Sequence, residues 1–149
     1  MMAMKWIDMM DYIHIAQIAI FIILLTYAAM IDFRTRTIPD HIPVLIILFG
    51  LINTEPISAV LGLVLVPLPY FIMALLKENS IGGGDIKLMG ACGFCLGLEA
   101  GYMASILGLM LAIIIHFAYS MIGNKKMTKN IPLAPYLGAG CLIAHLIVK

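Results

Sequence analysis

The chain has 149 residues, 63% of them hydrophobic and 11% charged, with mean hydropathy +1.08 and a formal net charge of +1. A soluble domain carries about 25% charged residues, so this balance excludes a water-solvated fold and implies lipid as the main solvent. The near-neutral charge, with no basic stripe or tail, excludes nucleic acid as a partner, and the length suits a single domain over residues 1–149.

A membrane-spanning helix takes about 20 mostly apolar residues. The first candidate runs from Ile13 to Ile31. Lys5 is the only basic residue ahead of it, Asp8 and Asp11 come next, and no small-residue cleavage site closes the run, so it reads as a retained span and not as a signal peptide. The polar segment Asp32–Thr37 follows. The second candidate, Ile38 to Ile52, has Pro39 suited to its first turn and is ended by Asn53-Thr54-Glu55-Pro56. The third, Ile57 to Leu76, carries Pro67 and Pro69 and should kink there. Lys77–Ser80 and the run Gly82-Gly83-Gly84-Asp85 precede a fourth candidate, Asp85 to Leu98, which is too short to cross alone unless tilted or shielded by protein. Glu99-Ala100-Gly101 breaks the pattern before a fifth, Tyr102 to Ile122. A lysine-rich loop, Gly123–Asn130, leads to the sixth, Ile131 to Val148. The expected fold is an all-α polytopic membrane bundle of about six transmembrane helices.

Lysine and arginine placement sets orientation. With six spans, one side holds Arg34, Arg36, Lys77, Lys87, Lys125, Lys126 and Lys129, and the other holds Lys5 and Lys149. Both termini are therefore expected outside, with the loops bearing Asp32 and Asp85 in the cytoplasm. Cys92, Cys95 and Cys141 lie in apolar runs, and an odd number there does not read as a disulfide framework. Cys92-Gly93-Phe94-Cys95 has redox spacing but lacks the soluble strand-to-helix setting, so packing is the expected role. His116 and His145 are expected to hydrogen-bond inside the bundle, and His41 to lie near the site loop. The 12 methionines read as packing and lipid contact.

Ionisable groups at the membrane are costly and are functional candidates. Asp32 ends the first span and Asp85 starts the fourth, on one membrane face and at similar depth. Two neighbouring carboxylates share a proton, because like charges a few Å apart do not both ionise cheaply. One base and one acid around a water is the chemistry of peptide hydrolysis. Gly82, Gly83 and Gly84 permit close approach of an extended peptide, and no Gly-Lys-Ser/Thr follows to suggest phosphate binding. Helix-end electrostatics assign the ionised form to Asp85 and the proton to Asp32, with Arg34 and Arg36 opposing.

Asp32-Phe33-Arg34 followed by Ile38-Pro39 resembles the first aspartate motif of the type IV prepilin peptidases. Gly82-Gly83-Gly84-Asp85-Ile86-Lys87 is similar to their second, the GxGD motif with its lysine, and Ile131-Pro132-Leu133-Ala134-Pro135-Tyr136-Leu137-Gly138 is similar to their last-helix segment. The resemblance implies an aspartic-type endopeptidase with Asp32 and Asp85 catalytic, and Gly82, Gly83, Gly84, Lys87 and Arg34 in substrate binding or support. It further implies prepilin or pilin-like substrates with positively charged leaders, a site at the cytoplasmic face of the inner membrane, and no metal or organic cofactor. Many members carry an N-terminal domain with paired C-x-x-C motifs and also methylate the new N-terminus. This chain starts almost at its first span, like the short peptidase-only members of tight-adherence (Flp) pilus systems, so methyl transfer is not expected. Asp40 stands where the family often has Asn and adds a third carboxylate near the site, with helix capping and a catalytic role equally open to it. Lys87 would tune Asp85 or anchor its helix at the interface. The alternatives are a small ion- or proton-coupled transporter subunit using the same two Asp residues near the bilayer midplane, and a non-catalytic assembly subunit. Presenilin-like proteases share only the second motif.

Overall fold

The structure is a computed structural model that describes residues 2–52, 54–77, 81–121 and 132–148. Among these residues the regular structure is helical: α1 (Met2–Thr35), α2 (His41–Gly50), α3 (Pro56–Leu65), α4 (Leu68–Leu76), α5 (Gly83–Leu96), α6 (Leu98–Met121) and α7 (Ala134–Val148). The expected all-α membrane bundle is what the chain forms. α3 and α4 are the two halves of one apolar run, Pro56–Leu76, so the seven segments reduce to six helices among the described residues. The break at Val66-Pro67 has the expected cause, since Pro67 and Pro69 lack N–H groups for a continuous ladder, and the Phe71 amide instead bonds the Pro67 carbonyl at 3.0 Å.

Several boundaries move. α1 continues through Thr35, which puts Asp32 in its last turn and not beyond it. Pro39 lies outside α2, and its carbonyl accepts from the Ile42 amide at 3.2 Å. α5 starts at Gly83, so Gly83 and Gly84 are helical. The break between α5 and α6 is Gly97, at φ 83°, and Glu99–Gly101 belong to the first turn of α6. The Gly123–Asn130 loop lies outside the described residues.

Three runs, Ile15–Thr35, Pro56–Leu76 and Leu98–Tyr119, are long and apolar enough to cross a membrane. α5 has 14 residues, which is about 21 Å at 1.5 Å per residue against a hydrocarbon core of about 30 Å. Its surroundings resolve the mismatch: α5 packs against α2, α3, α4, α6 and α7 and buries most of its side chains. A short helix wrapped by protein has no backbone to satisfy in lipid. α3 crosses α5 at Gly62 and Gly93, where a Cβ on either residue would run into the backbone carbonyl of the other. Small residues at such crossings let backbones approach where lipid supplies no hydrophobic drive.

The core holds Ile42, Ile46, Tyr70, Leu88, Met89, Leu137 and both Cys92 and Cys141 at full burial. The outer surface is apolar too, with Phe33, Ile57, Leu75, Leu76 and Leu146 among its exposed side chains. Water does not tolerate a shell of that kind, whereas lipid does. The three cysteines form no disulfide. His116 faces outward on α6 and not into the bundle as expected, and His145 packs beside Phe21 with ring centroids 6.3 Å apart.

Candidate active site

The site forms at one end of the bundle, where the last turn of α1, the 36–40 turn and the first turns of α5 and α7 converge. Arg36 closes α1 in the left-handed region (φ 55°), and its amide bonds the Asp32 carbonyl at 2.9 Å. That conformation is normally given to glycine. Here it turns the chain so that Ile38, 8% exposed, folds back into the bundle.

Asp32 and Asp85 are both buried, at 5% and 9% exposure, and lie within electrostatic reach of each other. Each sits in a terminal turn, Asp32 near the end of α1 and Asp85 near the start of α5. The transporter alternative needs carboxylates midway along their spans, and neither is there. Asp32 Oδ2 accepts a hydrogen bond from the Ala134 amide of α7 at 3.1 Å, and the Leu133 amide is also directed at this carboxylate. Asp85 reaches back to the Gly82 amide, as the third residue of a helix does in a capping box. Its Oδ1 is buried and has no hydrogen-bond partner among the described residues. Buried polar atoms in native structures are rarely left so.

The glycines divide the work. Gly82 is the extended N-cap residue of α5 (φ −70°, ψ 139°). Gly84 lies against the 36–40 turn: a Cβ there would be 2.9 Å from the Ile38 Cβ and 3.2 Å from its amide nitrogen. Gly83 is exposed, with nothing among the described residues within 4 Å of a Cβ built on it. The run is therefore the N-cap and first residues of a helix. One glycine seats the neighbouring turn and one leaves an open face beside Asp85.

Lys87 does not reach Asp85. Its Nζ pairs with Asp40 Oδ1 at 2.7 Å, tying α5 to the residue before α2. Asp40 accordingly makes no side-chain cap on α2. Both partners are more than half exposed, and such pairs contribute roughly 0–1 kcal/mol. Asp40→Asn should therefore keep most activity and shift the unfolding midpoint little; complete loss of cleavage by a folded variant would show that Asp40 belongs to the chemistry. Arg34 is exposed in the last turn of α1, and His41 lies beside Tyr27, ring centroids 6.4 Å apart.

Two features escaped the sequence reading. One is the α7 amide on Asp32; Pro132 and Pro135, which bracket Leu133-Ala134, were its only visible signal. The other is a buried hydroxyl pair deeper in the bundle, Tyr70 Oη to Ser105 Oγ at 2.8 Å, which joins α4 to α6 and left no sequence pattern.

No solved structure matches the chain. It is 28% identical over 134 residues to the "Prepilin leader peptidase/N-methyltransferase" of Bacillus subtilis (strain 168), covering 85% of this chain and 54% of that protein. The chain thus spans about half the length of that relative. The profile of the type IV leader peptidase family matches residues 19–121, a stretch that takes in Asp32, Ile38-Pro39 and Gly82–Lys87, the segments that meet at this site; the chain belongs to that family.

Proposed function

We propose that this protein is a membrane aspartyl endopeptidase that removes the leader of type IV prepilins or pilin-like proteins. The observation that carries the reading is the buried carboxylate pair, Asp32 and Asp85, at one end of an apolar bundle. Family membership supports leader cleavage. The substrate would bring a polar leader and an apolar helix together at the bilayer surface, with the scissile bond at the depth of the pair.

Among the described residues, two amides face Asp32, one faces Asp85, and Asp85 Oδ1 has no partner. A hydrogen bond to a charged group is worth about 1.5–3 kcal/mol, more than a helix-end effect of about 0.3–1 kcal/mol. This favours the reverse of the helix-end expectation: the charge rests on Asp32 and the proton on Asp85. Asp32 then takes a proton from water as its oxygen adds to the scissile carbonyl carbon. Asp85 gives its proton to the leaving nitrogen as the C–N bond breaks. The products are the leader's carboxyl terminus and a free amine, and the pair retains one proton as it began. The open face at Gly83 offers the peptide an approach to Asp85. No metal or organic cofactor takes part in these steps.

Cleavage alone is assigned, since a carboxylate pair performs hydrolysis and not methyl transfer. The test is co-expression with candidate prepilins, followed by mass spectrometry of the mature N-terminus. A shortened, unmethylated product is expected. An intact prepilin across all candidates would defeat the reading, and methylation dependent on purified enzyme and S-adenosylmethionine would defeat the cleavage-only part.

The site is further proposed to face the cytoplasm from the inner membrane, because Arg34, Arg36, Lys77 and Lys87 gather at its end of the bundle. In a background lacking Cys92, Cys95 and Cys141, a cysteine at position 2 should react with an impermeant reagent in intact cells, and one at position 127 should not. The opposite pattern would invert the topology.

A further inference from the structure

The first turn of a helix leaves up to four backbone N–H groups without intrahelical partners. In α7 the sequence cuts that supply. Pro132 and Pro135 have no N–H to give. The Tyr136 and Leu137 amides both bond back to the Leu133 carbonyl, each at 3.1 Å. Leu133 and Ala134 remain, and both amides are directed at the Asp32 carboxylate. Ala134 is 1% exposed and Asp32 5%, so bulk water does not compete for this contact. A helix end buried without partners would be costly, and a carboxylate supplied by α1 is what satisfies this one.

We propose that Ala134 is a positioning residue, whose amide, together with that of Leu133, holds the Asp32 carboxylate in its working orientation. The inference rests on the aspartyl-peptidase reading and deepens it. α7 thereby acts in the chemistry through its backbone, and the two prolines reserve its free donors for one acceptor. Arg36 also acts on Asp32, electrostatically and from its own exposed turn. The α7 amides act from the buried side and fix direction as well as charge.

Two variants remove the Ala134 N–H by different routes. Ala134→Pro uses the first helical position, where proline's φ is already suitable. Replacement of Ala134 by lactic acid, introduced by nonsense suppression, exchanges the amide for an ester and keeps the side chain. For both, kcat on a matched prepilin should fall about 10²-fold, as for loss of one oriented donor or a misplacement near 1 Å, with KM within about twofold because substrate contacts remain. Ala134→Gly, which keeps the N–H, should restore kcat to within a few-fold. Infrared difference spectra against Asp32→Asn should show the Asp32 carboxylate stretch displaced in the proline and ester variants and returned in the glycine variant. A folded ester variant with wild-type kcat and an undisplaced stretch, beside an inactive Asp32→Asn, overturns the positioning role and leaves the peptidase reading standing. If Asp32→Asn itself still cleaves, both fall.

Discussion

Asp32→Asn and Asp85→Asn should each lower the rate of prepilin cleavage by about 10³-fold or more, in the range of losing positioned acid or base catalysis, while the protein stays folded in detergent. The two carboxylates act on one water and one leaving group, so removing either disables the unit and the double variant should be no slower than either single. Asn keeps the size of the side chain, and Asn at position 32 can still accept from the Ala134 amide through its carbonyl oxygen. Cleavage assays on matched prepilins, with thermal unfolding in parallel, read both halves of the expectation. Near-normal processing by either well-folded single variant would rule out the pair.

Gly84→Ala should also damage cleavage, by about 10²-fold and for a different reason. The added methyl would meet Ile38 at its Cβ and backbone nitrogen, at 2.9 and 3.2 Å, where neither is the far end of a flexible side chain. Ile38 closes the turn that follows Asp32, and Gly84 precedes Asp85, so the strain would drive the two carboxylates apart. A shift near 1 Å costs about 10²-fold in rate, and overpacking costs about 1–3 kcal/mol of stability. Gly83→Ala is the comparison. Its Cβ would meet nothing among the described residues within 4 Å and its φ is not positive, so stability should hold or rise by up to about 0.5–1 kcal/mol, the helix preference of Ala over Gly. Any change in cleavage by Gly83→Ala should then appear in KM, as crowding of an open approach. Equal loss of stability in the two variants would contradict the packing described for Gly84.

Composition and hydropathic runs were sufficient for the helical membrane bundle, because lipid admits few backbones and a chain this apolar has no other solvent. Spacing was also sufficient to pick out Asp32 and Asp85 as carboxylates that share a membrane face, since charges are too costly at that depth to be incidental. Local signals failed where contacts between helices decide. Gly82–Gly84 looked like a loop ahead of the fourth helix, but Gly83 and Gly84 are helical, and the first turn of α5 seats against Ile38. Lys87 looked able either to tune Asp85 or to anchor its helix at the interface, and Asp40 across the turn is the carboxylate it meets. His116 looked like an internal hydrogen-bonding residue, and the rotation of α6 turns it outward. The charge assignment proposed for the pair draws on contacts of the same kind. A helix-end argument sees only the helix each Asp sits on, whereas the amides that bear on Asp32 come from Leu133 and Ala134, about a hundred residues later in the chain. The residue types and their membrane side are properties of the sequence. Which donor meets which carboxylate depends on α1 packing against α7 and α5 being wrapped by its neighbours, and no periodicity within a single segment encodes that.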